Sequence, residues 1–233
     1  LKLSDILLES SGIQQSLGDL LVRVRSTADS TRARIESGDL QLVFNSNEQR
    51  DSLISKFSGT IALLTSQIQR FDVNMDSLQR GMPDFRLTVN ASRNNLLNAY
   101  LSGMGLFFNG LDLLAESGRE QNFRLRTGVK GAVYNDFRID SLLFDMAHRN
   151  GRLDFLTVIH NATEFLRDFA RFSLWGNLAG NTLNVYTREV DHEDRPLIEL
   201  GLGLQRQDSV YTATIRDTLI LADSQWSVNP GNY

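Results

Sequence analysis

The strongest constraint on the fold is a serial alternation of apolar and polar residues along the second half of the chain. In residues 198–204, Ile and three Leu alternate with Glu and two Gly, so the four apolar side chains share one face of a strand. Strand candidates follow one another at 106–115, 122–130, 132–147, 152–160, 164–175, 182–189, 197–206, 209–216 and 218–228. Turn-forming clusters separate most of them. Strands at this spacing predict an antiparallel sheet with one apolar and one polar face.

The period of the pattern changes between residues 46 and 105. Apolar residues at spacings of three and four predict a helix over 46–71, and they are Leu53, Phe57, Ile61, Leu64, Ile68 and Phe71. Ser46 and Gln49 have the spacing of a capping box at its start. A second helix is predicted over 92–102, with a face formed by Leu96, Leu97, Tyr100, Leu101 and Met104. The segment 85–89 between the two helices alternates and predicts a strand.

The predicted fold class is therefore mainly β with some α: a curved antiparallel sheet of serial amphipathic strands, groove-like or sandwich, with an inserted helical segment. Strands at 20–25 and 40–45, joined by a turn at 37–39, belong to an N-terminal part with a short helix over 1–45. Residues 46–105 form the helical insert with one strand, and 106–233 form the antiparallel sheet. The chain starts without Met and ends in a strand-like segment, so we expect one continuous unit cut from a longer protein.

Composition excludes several functional classes. Lys and Arg total 24 against 28 Asp and Glu, a net charge of −4, so nucleic acid is not an expected partner. The absence of Cys removes disulfides, thiol catalysis and cysteine zinc sites. No uninterrupted run of about 18 apolar residues predicts a transmembrane helix.

Catalytic and metal-binding motifs are not recognisable. His148, His160 and His192 have no second His at metal-ligand spacing, and the acidic segment 191–194 predicts a solvated turn rather than a cation site. No serine nucleophile elbow occurs, and neither 176–180 nor 201–203 opens a helix as a phosphate-binding loop would. The sequence therefore predicts a protein that is not an enzyme, with no catalytic residues, no metal site and no cofactor.

The aromatic residues leave two architectures open. Many of the 13 Phe lie at alternating strand positions. They could fill a closed sandwich or line an open trough for an acyl chain, and periodicity alone does not choose between the two. A trough that takes ten methylene groups from water would gain about 8 kcal/mol.

Several segments, taken in order, carry a resemblance to a known family. They are the strand 38–44 followed directly by the first helix, the segment 78–83, the strand 85–91, the helical segment 93–101, the strand pair 129–134 and 138–144, and the terminal segment 219–233 with its Asn-Pro-Gly-Asn-Tyr turn. Over residues 18–233 the chain resembles the TamB family of the AsmA-like superfamily, the inner-membrane component of the translocation and assembly module. The similarity is to an internal segment of the long versions in Bacteroides-type bacteria.

This resemblance implies an inner-membrane-anchored envelope protein that crosses the periplasm as a long curved β-sheet with an apolar groove. It implies a role in outer-membrane biogenesis, through phospholipid transport and through protein secretion and assembly with an outer-membrane assembly barrel protein of the Omp85 type. The family has no catalytic residues to carry over.

Two functional hypotheses follow. In the first, this segment is part of a phospholipid conduit, and Leu153, Phe155, Leu200 and Leu202 contact acyl chains. In the second, helices close a β-sandwich into a structural docking module without lipid, whose exposed strand edges bind a partner by β-augmentation.

Overall fold

A computed structural model of the chain describes residues 1–4, 7–10, 13–16, 19–118, 122–134, 137–161, 169–221 and 224–226. These residues form seventeen strands and three helices. The helices are α1 (Arg50–Arg70), α2 (Met75–Gly81) and α3 (Leu96–Ser102). The first eight strands are β1 (Lys2–Leu3), β2 (Leu7–Ser10), β3 (Ile13–Ser16), β4 (Leu20–Ser26), β5 (Thr31–Ser37), β6 (Leu40–Ser46), β7 (Phe85–Ala91) and β8 (Leu106–Phe107). The others are β9 (Gly110–Ser117), β10 (Arg124–Tyr134), β11 (Phe137–Arg149), β12 (Arg152–His160), β13 (Arg171–Ala179), β14 (Thr182–Val190), β15 (Pro196–Gln207), β16 (Val210–Leu221) and β17 (Ser224–Trp226).

Fifteen of the strands form one open, curved antiparallel sheet. Its order is β1-β4-β5-β6-β7-β9-β10-β11-β12-β13-β14-β15-β16-β17, with β8 paired to β10. The α1–α2 hairpin is inserted between β6 and β7, and α3 with β8 is inserted between β7 and β9. The predicted fold class, a curved antiparallel sheet with an inserted helical segment, is confirmed.

The closed-sandwich alternative is wrong for the described residues. The β2–β3 hairpin is the only other sheet there, and it has two strands. The strands after β9 form a single layer, because each pairs edge to edge with the next and no second sheet packs against them.

Cross-strand register separates the side chains into two faces. Residues directly opposite one another in an antiparallel ladder project to the same side of the sheet. Leu42 pairs with Val89 and Val89 with Leu113, while on the other side Arg86 pairs with Glu116. We call the first side the apolar face and the second side the polar face.

The buried core is split into two clusters on the apolar face. One lies under α3 and centres on Leu40, Val89, Ala91 and Phe108. The other lies under the α1–α2 hairpin, where the buried residues Val73, Met75 and Leu78 pack against Leu63 and Leu64 of α1 and against Leu153 and Leu178 of the sheet.

The sheet bows around the α1–α2 hairpin. Phe57 contacts Phe85 of β7 with ring centroids 5.1 Å apart, and Phe71, just after α1, contacts Tyr211 of β16 at 5.9 Å. These two contacts are about 21 Å apart along the helix. Strands β7 and β16 are eight strand spacings apart, which is about 38 Å along the sheet. Because α2 also fits between α1 and the middle strands, the apolar face is concave at this end.

Several local predictions differ from the structure. Strand β5 was not predicted, because Ile35 is the only large apolar side chain in its Arg-rich alternation over residues 31–37. Helix α2 was also missed; its seven residues are too few for a helical period, although Asn74 caps it through Ser77 N–H at 2.8 Å. The short helix expected within 1–45 has no counterpart among the described residues there. The strand predicted at 164–175 and the turn at 229–233 lie partly or wholly outside the described residues.

The capping box at the start of α1 is wrong. Gln49 is the N-cap and makes no side-chain cap, and Ser46 Oγ instead donates to the carbonyl oxygen of Asp84 at 2.6 Å. Glu48 takes over the local hydrogen bonding, since it accepts from Ser52, Lys56 and the Asp84 backbone N–H.

The predicted apolar stripe of α1 is correct in part. Leu53 is buried and Phe57, Leu64 and Phe71 pack partly, but Ile61 and Ile68 are 62% and 56% exposed. The buried face includes Thr60 and Gln67 instead, because Gln67 Oε1 accepts a hydrogen bond from Asn74 N–H at 2.9 Å. In α3, Leu97 and Leu101 pack as predicted, whereas Tyr100 and Met104 are exposed.

The cluster under the hairpin predicts that truncating a buried side chain lowers stability much more than truncating an exposed side chain of the same hairpin. Leu78 is 1% exposed, so Leu78→Ala should lower the free energy of unfolding by about 2–5 kcal/mol. Ile61→Ala is the matched control on α1, where removal of an exposed side chain should change stability by less than about 0.5 kcal/mol. Urea unfolding followed by circular dichroism measures both. Equal losses would show that α2 does not hold the hairpin on the sheet.

Asp39 ties the β5–β6 turn to the segment before α3. Its carboxylate accepts from Ser92 N–H at 3.0 Å, Asn94 N–H at 2.9 Å and Asn95 Nδ2 at 2.6 Å. Gly38 allows this approach, because a Cβ there would lie 1.9 Å from the carbonyl oxygen of Asn94. Burial raises the pKa of Asp39, but the hydrogen bonds from Asn94, Asn95 and Ser92 outweigh it and hold that pKa below its ordinary value.

A lowered pKa in the folded state predicts a pH dependence. Asp39 stabilises the fold fully above the ordinary carboxyl pKa near 4, and this contribution disappears as the pH falls through the lowered folded-state value. We expect Asp39→Asn to lower the free energy of unfolding by roughly 1 kcal/mol at pH 7 and by much less at pH 2.5. Denaturant unfolding at both pH values checks this. A deficit of the same size at both would contradict the assignment.

Candidate functional site

An uncovered apolar trough follows the middle strands of the apolar face. Cross-strand pairing arranges its side chains in three rows. The first row is Val129, Leu142, Ile159 and Phe172; the second is Phe144, Thr157, Leu174, Thr187 and Leu200; the third is Met146, Phe155, Gly176, Val185 and Leu202. Nearly all are half-buried, because neighbours in the same layer shield one another, and no described helix or second sheet is packed above them. We call these rows the trough.

One end of the trough is closed by α2. A fourth row, which contains His148, Leu153 and Leu178, lies under the hairpin. His148 is 5% exposed, and its Nε2 lies 3.2 Å from Oδ1 of Asp76 on α2. Six residues separate the first row from the fourth along each strand, so the trough is about 20 Å long in this direction.

The other end opens into an apolar pocket of about 360 Å³. Its wall is entirely apolar and combines α3, β8 and the far ends of β10 and β11. Its lining residues include Leu101, Phe107, Val133, Phe137 and Ile139. Val129 and Leu142 belong both to the pocket and to the first row, so pocket and trough form one continuous apolar surface.

A glycine shapes the floor of the trough. Phe155 lies across Gly176 on the neighbouring strand, and a Cβ on Gly176 would be 2.7 Å from Phe155 Cζ and 2.0 Å from the carbonyl oxygen of Asn184. The missing side chain lets the aromatic ring lie low over β13. The floor therefore stays smooth where a larger residue would raise a ridge.

The four residues predicted to contact lipid all lie on the apolar face, in different surroundings. Phe155 and Leu202 share the third row, and Leu200 is in the second row, so the structure brings these three together on the trough. Leu202 is 42% exposed. Leu153 packs against the cluster under α2, so it is part of the closed end rather than the open surface.

The pocket residues were not predicted. Phe107 and Phe137 are 41% and 43% exposed, which is unusual for Phe, but their exposure depends on how α3 and β8 sit over the sheet. One signal was present in the sequence: the apolar segment 106–108 comes directly after Gly103 and Gly105, which were predicted to end the second helix.

The polar face behind the trough is built from paired charges around an aromatic strip. Asp145 lies 3.0 Å from Arg124 and 4.0 Å from Arg126, and Asp154 lies 2.8 Å from Arg152. Trp175 stacks on Tyr186 with centroids 5.7 Å apart. Two open depressions, of about 560 and 670 Å³, flank Trp175 on this face.

The acidic turn after β14 is held by its own hydrogen bonds. Asp191 accepts from Glu193 N–H at 2.8 Å, from Arg195 N–H at 2.9 Å and from Arg195 Nε at 2.7 Å. The backbone hydrogen bond from Arg195 is the main reason that the pKa of Asp191 lies below its ordinary value. His192 lies in this turn.

The described ranges contain neither a cluster of metal-ligating side chains nor a helix suited to cross a membrane. No group of three or more His, Cys, Asp or Glu side chains within them is placed to hold a metal ion. None of the three helices has both the length and the apolar character needed to cross a membrane.

Gly176 gives a direct test of the trough floor. Gly176→Ala should lower the free energy of unfolding by about 1–3 kcal/mol, because the new methyl group displaces Phe155 or the β14 backbone. Gly128, in β10, is the matched control, since no atom lies within 4 Å of a Cβ built there. Gly128→Ala should be neutral or stabilise by about 0.4–1 kcal/mol. Thermal and urea unfolding of both variants measure the difference, and equal stabilities would show that the ring does not lie over Gly176.

Comparison with known proteins assigns no family: no family model, no curated protein and no solved structure matches this chain.

Proposed function

We propose that this chain is a non-enzymatic segment of a TamB-type envelope protein, and that its trough holds phospholipid acyl chains in outer-membrane biogenesis. In this proposal the whole protein is anchored in the inner membrane, and this segment lies in the periplasm. Its cargo moves without bond making or breaking. An outer-membrane assembly barrel protein is the proposed partner at the far end of the pathway.

One observation carries the proposal: the trough and the 360 Å³ pocket form one uninterrupted apolar surface that no part of the described chain covers. The pocket has a size typical of small-molecule sites. An apolar surface of this extent is costly in water, and large exposed apolar patches usually mark an interaction site.

The chemistry of the trough matches an acyl chain better than a polar ligand. Its rows contain Leu, Ile, Val, Phe and Met with Thr157 and Thr187 as the polar members, and Glu189 follows Phe172 at the end of the first row. Each methylene group transferred from water contributes about 0.8 kcal/mol, so six methylenes in the pocket would contribute about 5 kcal/mol before the entropic cost of binding. The hydroxyl groups of Thr157 and Thr187 are the only polar side-chain groups in the three rows, which favours a chain that slides over one held by several polar contacts.

A lipid-retention experiment tests the proposal. The 233-residue chain is purified gently from bacterial cells and its bound phospholipid is measured by native mass spectrometry. Phe137→Asp with Leu202→Asp places charges in the pocket and the trough at side chains that are both more than 40% exposed, so folding should tolerate them. We expect at least a tenfold loss of bound lipid with an unchanged circular dichroism spectrum.

The matched control is Ile54→Asp with Ile61→Asp on α1. These side chains are 57% and 62% exposed and lie outside the trough, so the same two charges should leave lipid retention unchanged. Equal loss in both double variants would contradict the trough as the binding surface.

A lipid-free, well-folded wild-type chain would contradict the lipid function itself. It would favour the protein-docking hypothesis, for which β16 offers an edge. Within the described residues β17 pairs with Leu219–Leu221 alone, so the outer edge over 210–216 has no partner strand, and Val210, Tyr211 and Ile215 are exposed there.

A further inference from the structure

Four arginines form a compact square on the polar face at the opposite end of the sheet from the trough. Strand β4 carries Arg23 and Arg25, and β5 carries Arg32 and Arg34. In the β4–β5 ladder Arg23 is directly opposite Arg34, and Arg25 is directly opposite Arg32. All four side chains are exposed. Positive charge is therefore concentrated locally on a chain whose net charge is −4.

The spacing within this arginine square follows from sheet geometry. Directly opposite residues have Cβ atoms about 4.5–5.5 Å apart. Residues two apart on one strand are about 6.8 Å apart. The four guanidinium groups can therefore converge on a ligand a few ångströms across.

The square is poorly neutralised compared with other arginines on the same face. Arg34 pairs with Glu36 at 2.5 Å, whereas Arg23, Arg25 and Arg32 form no ion pair with another described residue. Elsewhere on this face Arg86 pairs with Glu116 at 3.5 Å, and Arg124 and Arg152 each have an aspartate within 3.0 Å. Like charges directly opposite in a sheet are destabilising, so the arginine square lowers the stability of the fold, whereas the ion-paired arginines on the same face do not.

Protection of a sheet edge could explain the arginines of β4 but not those of β5. Charged side chains on an edge strand discourage pairing with other chains. Strand β1 pairs with β4 at Leu20 and Leu21, and within the described residues β5 is the one strand that pairs with β4 at Arg23 and Arg25. Strand β5, in contrast, is paired on both sides, by β4 and β6, and Arg32 and Arg34 protect no edge.

We propose that the arginine square binds a ligand with two closely spaced phosphate groups. Guanidinium groups form two parallel hydrogen bonds to phosphate oxygens, a geometry that lysine cannot supply. Two directly opposite pairs present one guanidinium pair to each phosphate. The site uses none of the trough residues, and it does not depend on the lipid-binding proposal.

Calorimetric titration with pyrophosphate at low ionic strength tests the site in the full 233-residue chain. Arg25→Gln with Arg32→Gln removes one directly opposite pair and should weaken binding at least tenfold. Thermal stability should stay equal or rise, because a like-charge pair is relieved. Arg25→Lys with Arg32→Lys keeps the charge and should still weaken binding at least threefold.

The matched control is Arg126→Gln with Arg152→Gln. It removes the same charge from the same face, at side chains 55% and 50% exposed that have carboxylates nearby. Affinity for pyrophosphate should change less than twofold. An equal loss of affinity in the control would overturn the proposal, because the change in net charge alone would then explain the weaker pyrophosphate binding.

A vesicle arm identifies the source of the phosphate. Co-sedimentation compares vesicles of phosphatidylglycerol and phosphatidylcholine with vesicles of phosphatidylcholine alone. Arginine-dependent binding to the anionic vesicles without pyrophosphate binding would support the site and identify lipid headgroups as the source, whereas pyrophosphate binding alone would support it with a soluble ligand. Binding to neither would overturn the proposal.

Discussion

Uninterrupted antiparallel register is the constraint on which the rest of this structure depends. From β4 to β16 each strand of the large sheet pairs directly with its neighbour in the sheet order. The register of each pairing therefore fixes which side chains of all these strands lie on the same face. A slip of one residue at any pairing would turn a strand's apolar side chains toward the polar face. The irregularities in the ladder lie near the far edge, at Glu189 and Glu199, and leave the trough rows intact.

A single layer with one apolar face creates more apolar surface than its helices cover. The α1–α2 hairpin packs on Leu153 and Leu178, and α3 packs over the buried residues Val89 and Ala91, so the covered areas lie at two separate places. Hydrophobic burial alone would favour a second sheet over the remainder. In the described chain the uncovered apolar surface stays open and leads into an apolar pocket. We therefore consider the binding of an apolar ligand a better explanation for this surface than a role in packing the protein core.

The sequence predicted what depends on local period and missed what depends on tertiary placement. Alternation at residues 198–204 predicted the strand and its apolar side chains. Phe155, Leu200 and Leu202 lie on the apolar face, and their contact with lipid stays a prediction. The stripe of α1 was misplaced at Ile61 and Ile68, because helical spacing does not show which neighbouring arc meets the sheet. The pocket could not be predicted, since Phe107 and Phe137 line it together only once β8 has paired with β10 and α3 lies beside them. The two Arg-x-Arg segments were visible, but their pairing required the unpredicted β5.

The arginine square and the trough cannot serve one phospholipid molecule. They lie on opposite faces, and five strand spacings separate β5 from β11 in the sheet, about 24 Å. A lipid with its acyl chains against Phe155 would therefore have its headgroup near the trough opening or the α3 end, not at Arg25 or Arg32. If both sites act, the square must recognise a second ligand or an anionic surface beside the sheet. Because alternate side chains of the strands form the two faces, charge changes at one site leave the other chemically unaltered, so the two functions are separable by mutation.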